Sequence, residues 1–177
     1  TWSEWFSHPE WAGGEVLDLH IHDLDALNWL FGTPASLFSR GQQGAHGGWD
    51  AALTVLDYKG VACFAEANAL MPSSYPFTMA LRVLCEGGVV EYNLRAGGEQ
   101  VNAAAGGTGL MVYREGETAR QLPAVVGDGY YNECAAFIDC VRTNRQPTQG
   151  TPAQARLAVQ VALAARESIR TGQKITI

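Results

Sequence analysis

The first long apolar pattern in the chain has the spacing of a helix. Leu17, Ile21, Leu24, Leu27 (or Asn28) and Phe31 recur every three or four residues, which predicts a helix from about Gly14 to Phe31. Gly32 is a natural C-cap, and Pro34 prevents the helix from resuming. From Ala35 to about Leu122 the period drops to two. Val61, Cys63, Ala65, Ala67 and Ala69 alternate with Phe64, Glu66 and Asn68, and Met79, Leu81, Val83 and Cys85 alternate with Ala80, Arg82 and Leu84. Turn signals separate these runs at Tyr58-Lys59-Gly60, Gly87-Gly88, Gly97-Gly98, Gly106-Gly107 and Glu115-Gly116. Glu86-Gly87-Gly88-Val89 predicts a hairpin with a two-residue connection. The region holds about six to eight antiparallel strands by this reading. No helix lies between them, which excludes a parallel, doubly wound sheet, because such a sheet needs a crossover helix after each strand.

Two helices close the chain. Cys134, Phe137, Ile138 and Val141 form an apolar stripe in the first. Thr151, Pro152 and Gln154 make a capping box with proline in the first turn of the second, whose face carries Leu157, Val161 and Ala164 and whose end is Gly172. Lys174-Ile175-Thr176-Ile177 predicts a short edge strand. The fold class is therefore α+β, a single domain over residues 1–177, with helices packed on one face of a large, mainly antiparallel open sheet. The first twelve residues are aromatic-rich and irregular, with Trp2, Trp5, Phe6, His8 and Trp11, and Ala103–Gly109 is expected to be a hairpin loop.

Composition narrows the classes. At 177 residues, with 47% hydrophobic and 17% charged residues, the chain suits one globular domain. A net charge of −6 with no Lys/Arg cluster argues against nucleic acid or an anionic membrane as partner. No apolar run reaches the length of a membrane span. Cys63, Cys85, Cys134 and Cys140 show no C-x-x-C spacing and each lies in an apolar segment, so they are expected to be small buried hydrophobes of a reducing, cytoplasmic protein and not a zinc site.

The candidate chemistry lies in the first helix. In a continuous helix Asp18 and His22, four residues apart, share one face. A carboxylate beside an imidazole is a proton-transfer pair, with the acid able to fix the tautomer and stabilise the cation. His20 and His22 would share a metal only in a strand; in a helix they diverge by about 200°. The helical spacing puts a metal site well behind. The bland alternative is that Glu15, Asp18 and Asp23 merely favour the positive end of the helix and that His22 is a packed core residue. Asp18, His22, Asp25 and Asn28 lie on adjacent turns otherwise rich in Leu, Ile, Trp and Phe, where polar groups are costly unless paired or used. On spacing alone the two readings weigh the same. Neither Gly107-Thr108-Gly109 nor Gly127-Asp128-Gly129 has the context of a phosphate-binding turn, so no dinucleotide site is expected in this chain.

Gly13-Gly14, Asp18-x-x-x-His22, Asp25 and Trp29-Leu30-Phe31-Gly32 resemble the signature of the glucose–fructose oxidoreductase / inositol dehydrogenase / MocA family of NAD(P)-dependent dehydrogenases. Trp5-Phe6-x-His8-Pro9-Glu10-Trp11 leading into the helix is similar to the family's pattern, as are the Gly87-Gly88 hairpin and the two last helices. The resemblance covers essentially the whole chain and implies the family's second domain, of the dihydrodipicolinate-reductase-like C-terminal type. It also implies that the N-terminal dinucleotide-binding domain, with its Gly-rich turn and Glu-Lys-Pro lysine, lies outside this chain. NAD or NADP would then be bound only in the full-length protein, and the chain alone is expected to be inactive. By the same resemblance His22 is the acid/base that takes a hydroxyl proton, and Asp18 orients it or binds substrate. Trp5, His20 and Tyr131 are candidates for the substrate pocket, and Asp25 ties the helix to its neighbours. Many relatives have a small residue where His20 stands. The implied substrate is a secondary alcohol of a sugar, polyol or derivative, and the implied assembly is a homo-oligomer through the sheet face. A stand-alone binding or oligomerisation module with the same fold is the alternative.

Overall fold

The structure is a computed structural model, and it describes residues 8–96, 109–123 and 129–177. The chain divides into two units, residues 1–70 with 143–177, and Met71–Arg142. In the first unit a single turn α1 (Pro9–Ala12) is followed by α2 (Glu15–Asp18) and α3 (His20–Phe31). Strands β1 (Ser36–Gln43), β2 (Trp49–Tyr58) and β3 (Val61–Asn68) follow, and the unit closes with α5 (Pro152–Thr171) and β8 (Ile175–Thr176). Its sheet has the order β3-β2-β1-β8, and every neighbouring pair is antiparallel.

Alternation explains how this sheet takes its core. Ala52, Thr54, Leu56 and Tyr58 of β2 are buried, while Leu53, Val55 and Asp57 between them are exposed. The buried side receives Val16 of α2, Leu24 and Leu27 of α3, and Val161, Ala162 and Ala165 of α5. Leu37 of β1 completes the cluster. α5 begins at the predicted capping box, in which Thr151 Oγ1 accepts from the Gln154 N–H and Gln154 Oε1 accepts from the Thr151 N–H. It ends at Gly172, whose left-handed backbone (φ 69°) lets its N–H reach the Ser168 carbonyl.

The second unit holds β4 (Phe77–Cys85), β5 (Gly88–Ala96), β6 (Gly109–Tyr113), β7 (Arg120–Leu122) and α4 (Gly129–Thr143). Its sheet is antiparallel in the order β4-β5-β6-β7, and Cys85 pairs with Gly88 across a two-residue turn at Glu86-Gly87, one residue ahead of the one expected at Gly87-Gly88. The strands thus fall in two four-stranded sheets.

Three expectations change. The helix predicted from Gly14 to Phe31 is broken at Leu19 (φ −109°, ψ −48°), which separates α2 from α3. The cysteines are not uniformly buried: Cys85, at the hairpin turn, and Cys134, on α4, are exposed, and Cys63 and Cys140 are half-buried. The segment ahead of α2 contains a helical turn, with His8 stacked on Trp11 at 4.0 Å between centroids. The apolar stripe of α4 is present, but Phe137, Ile138 and Val141 are exposed. The loop expected at Ala103–Gly109 lies outside the described residues up to position 108, and Gly109 opens β6.

Candidate functional site

The residues that matter lie where α2 meets α3. Gly13 and Gly14 both take positive φ, and Gly14 adopts φ 73°, a region that side chains rarely enter. A Cβ on Gly14 would stand 3.2 Å from the backbone nitrogen of Trp49, so glycine also allows α2 to start against the head of β2. α2 lasts one turn and ends at Asp18. The backbone then tightens, with the His22 N–H donating to the Leu19 carbonyl three residues back.

His20 and His22 both lie in the first turn of α3 and point apart, as the helical reading expects. His20 is fully buried and His22 is exposed. Asp18 is half-buried, and among the described residues no side-chain hydrogen bond or ion pair joins it to His22. Asp18 and His22 are thus placed close in sequence on either side of the break, accessible and not committed to each other. Asp25 is exposed, and among the described residues its side chain has no hydrogen bond or ion pair; the tie assigned to it is made by its neighbours. Asn28 Oδ1 accepts a 2.8 Å bond from the Tyr58 hydroxyl of β2, and His20 reaches the same strand.

His20 heads a buried chain of polar groups. Its Nε2 lies 2.8 Å from Thr54 Oγ1 on β2, and Ser39 on β1 donates its hydroxyl to that same oxygen at 2.9 Å. Its Nδ1 lies 3.3 Å from Asp23 Oδ2. Since Ser39 donates to Thr54, the Thr54 hydrogen is free to point at His20 Nε2. A carboxylate only accepts, so the Nδ1 hydrogen faces Asp23, and Thr54 Oγ1 bridges His20 and Ser39. The Ser39 N–H donates to Ser168 Oγ of α5, and Ser168 donates to the Gln173 carbonyl, so the polar layer runs from α3 through two strands to α5. His20 is a strut between α3 and the sheet, not an open pocket wall.

Glu15, in the first turn of α2, is a feature that spacing did not single out for chemistry. Burial, then the nearby charges of Asp18 and Asp50, push its carboxyl up to about 7, and its buried Oε2 has no hydrogen-bond partner among the described residues. The signal was present in the sequence as Glu15 and Asp18 one turn apart, but Asp50 enters only through the fold. Trp5 lies outside the described residues. Tyr131 belongs to the second unit, where it is exposed on α4 and lines a groove with Cys134, Ile138 and Arg142. Among the described residues no group of three or more His, Cys, Asp or Glu side chains is arranged to hold a metal ion, and no helix is long and apolar enough to cross a membrane.

Residues 1–177 match, along their whole length, the oxidoreductase-family C-terminal alpha/beta domain, the Gfo/Idh/MocA type. The chain belongs to that family. Among solved structures the Gfo/Idh/MocA domain is similar to aldose-aldose oxidoreductase from Caulobacter crescentus, complexed with glycerol, at 18% identity and a TM-score of 0.77 over 98% of this chain. It is also similar to the WlbA dehydrogenase from Bordetella pertussis, in complex with NADH and UDP-GlcNAcA, at 19% identity and a TM-score of 0.70 over 95% of this chain. A third is UDP-N-acetylglucosamine 3-dehydrogenase GnnA from Acidithiobacillus ferrooxidans, at 18% identity and a TM-score of 0.71 over 87%. At such identities the likeness establishes the fold. The chain spans about half of each of these proteins, 50%, 46% and 46% of their lengths. No curated protein sequence matches the chain.

Proposed function

We propose that this chain is the substrate-binding and catalytic half of an NAD(P)-dependent oxidoreductase that acts on a secondary alcohol of a sugar, polyol or derivative. One observation carries the reading: in a chain of this family, His22 is exposed in the first turn of α3, has no competing hydrogen bond among the described residues, and follows Asp18 by four residues. A histidine used only for packing would be buried and paired, as His20 is.

The described strands of this chain are antiparallel, and no strand–turn–helix unit of the dinucleotide-binding kind is built from them. A nicotinamide held by another part of the protein supplies the hydride acceptor. On this chain, a ring nitrogen of His22 takes the proton of the substrate hydroxyl as the C–H bond breaks and the carbon–oxygen bond becomes a carbonyl. Asp18 stabilises the resulting imidazolium and orients the ring. In the reverse direction His22 returns the proton to the alkoxide. The named activities of the similar proteins, on aldoses and on UDP-sugars, support a sugar or sugar derivative as substrate.

We further propose that copies associate through the outer face of the first sheet, where Leu53 and Val55 of β2 and Phe64 of β3 are exposed side by side. Four free cysteines support a reducing compartment, the cytoplasm. The decisive experiment is His22→Ala in the full-length protein, assayed with nicotinamide nucleotides against a panel of sugars and polyols. Turnover falling by about 10²–10⁴ with the fold intact supports the acid/base role. Unchanged turnover would show the role assigned to His22 to be wrong, and no nicotinamide-linked activity in the parent protein favours a non-catalytic binding or oligomerisation module.

A further inference from the structure

We infer that His20 is a positioning residue for the proposed reaction: its ring, held by Thr54 on one side and Asp23 on the other, fixes the first turn of α3 and with it the place of His22. The inference rests on the acid/base reading of His22 above. His22 is exposed, and among the described residues its side chain makes no hydrogen bond, so its place is set by the backbone beneath it. That backbone has few other anchors. It follows the break at Leu19, where no side chain caps the start of α3. Leu19 is exposed, and Ile21 packs against the core only in part. Among the described residues between Val16 and Leu24, His20 alone is buried. A reacting group misplaced by about 1 Å loses about 10²-fold in rate, so a proton-transferring ring needs a turn that does not slide.

The His20 ring supplies direction where apolar packing supplies only attraction. Its Nε2 lies 2.8 Å from Thr54 Oγ1 on β2. That oxygen accepts from the Ser39 hydroxyl at 2.9 Å, and the Ser39 N–H donates to Ser168 Oγ of α5 at 2.9 Å. The hold on the turn therefore reaches two strands and a helix. On its other side the ring places Nδ1 3.3 Å from Asp23 Oδ2. One side chain thus ties residue 20 to residue 23 and brackets His22 between them. His20 and His22 stand about 200° apart around the helix, so fixing the inner ring to the sheet fixes the direction in which the outer one leaves. A leucine fills a similar space, but hydrophobic attraction is non-directional, whereas hydrogen bonds weaken steeply away from their preferred length and angle. A buried polar network whose members are paired rigidifies one arrangement of its elements. Here that arrangement includes the turn that carries His22.

The test is steady-state kinetics of the full-length protein, with nicotinamide nucleotide and its best sugar or polyol substrate, at a temperature where calorimetry shows each variant folded. His20→Leu and Thr54→Val break the same bond from its two ends. Each is expected to lower kcat by about 10–10²-fold while KM stays within about twofold of the parent. His20→Gln, whose amide can still reach Thr54, should recover most of the loss. Asp23→Ala should lower kcat several-fold, and Asp23→Asn, which keeps an acceptor for Nδ1, should not. The Asp23 side chain is 42% exposed, so its variants decide the matter even where the core variants do not fold. Val161→Ala, in the core on α5 but outside the network, should lose stability and keep kcat. If His20→Leu, Thr54→Val and Asp23→Ala keep the parental kcat while His22→Ala loses it, the inference is overturned and the acid/base reading stands. If Val161→Ala loses as much kcat as His20→Leu, any softening of the core has the effect, and the inference is overturned. If Asp23→Asn loses as much as Asp23→Ala, charge and not the hold on the ring is responsible, and the inference is again overturned. If His22→Ala keeps the parental turnover, the acid/base reading fails and takes the inference with it.

Discussion

His20 Nε2 and Thr54 Oγ1 meet at 2.8 Å in the core, across 34 residues of sequence. The imidazole is fully buried, and Thr54 and Ser39 behind it are buried too. Removing the ring leaves a cavity and an orphaned hydroxyl pair together. His20→Ala is expected to destabilise the protein by about 2–5 kcal/mol, while Ser39→Ala, at the end of the chain of bonds, costs about 1 kcal/mol. Chemical denaturation measures both. A His20→Ala loss below that of Ser39→Ala would show that the ring is not the strut between α3 and the sheet.

Gly14 makes a second structural prediction. Its φ of 73° is unfavourable for any side chain, and the added Cβ would press on the Trp49 backbone at 3.2 Å. Gly14→Ala is expected to cost about 1–3 kcal/mol from backbone strain and contact together. Gly47, which also has positive φ but an open surround, separates the two contributions. Gly47→Ala should cost about 1 kcal/mol. Equal losses at the two sites would mean that the approach to β2 contributes nothing.

What the sequence made legible was local. The capping box at Thr151 and Gln154 and the cap at Gly172 depend on neighbours a few residues away, and both form as read. The period-two runs that became β3 and β4 are likewise local, and the two-residue turn after β4 forms one residue ahead of the expected Gly87-Gly88. The break at Leu19 was not legible, because the apolar spacing passes straight through it from Val16 to Leu24 and only backbone hydrogen bonds change partner. The partnership of His20 with Thr54 and Ser39 could not be read either, because it joins three elements that sequence does not align. The same holds for Glu15, whose carboxyl responds to Asp50 on β2. For the site, the pair Asp18 and His22 was visible as spacing, and its exposure was not.

Glu15 gives the protein a pH dependence with a definite sign. Its carboxyl is raised from 4.5 to about 7, chiefly by burial and then by Asp18 and Asp50. A group that holds its proton more tightly when folded favours the fold most at low pH. That contribution is complete below pH 4.5 and is lost as pH rises through about 7. The side chain is only half-buried, and solvent screens the effect to about 1–2 kcal/mol at most. Glu15→Gln should therefore flatten the fall in melting temperature between pH 5 and pH 8 and leave the low-pH value nearly unchanged. A variant whose pH profile matches that of the parent would place the responsible group elsewhere.

Asp18 and His22 carry the functional prediction, and stability and turnover should part company there. His22 is exposed and bonds to nothing among the described residues, so His22→Ala should change stability by less than about 0.5 kcal/mol. The same change should lower turnover by about 10²–10⁴ if the ring moves the proton. Asp18→Asn keeps the size of the side chain and removes its charge. The imidazolium formed during turnover then loses its stabilising partner, so the loss should fall mainly on kcat. Because Glu15 feels the charge of Asp18, Asp18→Asn should also lower the Glu15 titration seen in the stability profile. Steady-state kinetics across pH 5–9 in the full-length protein, beside calorimetry on the same samples, reads both effects. If His22→Ala and Asp18→Asn lose activity only in proportion to lost stability, neither residue does chemistry. The pair would then be an accessible surface feature of the fold.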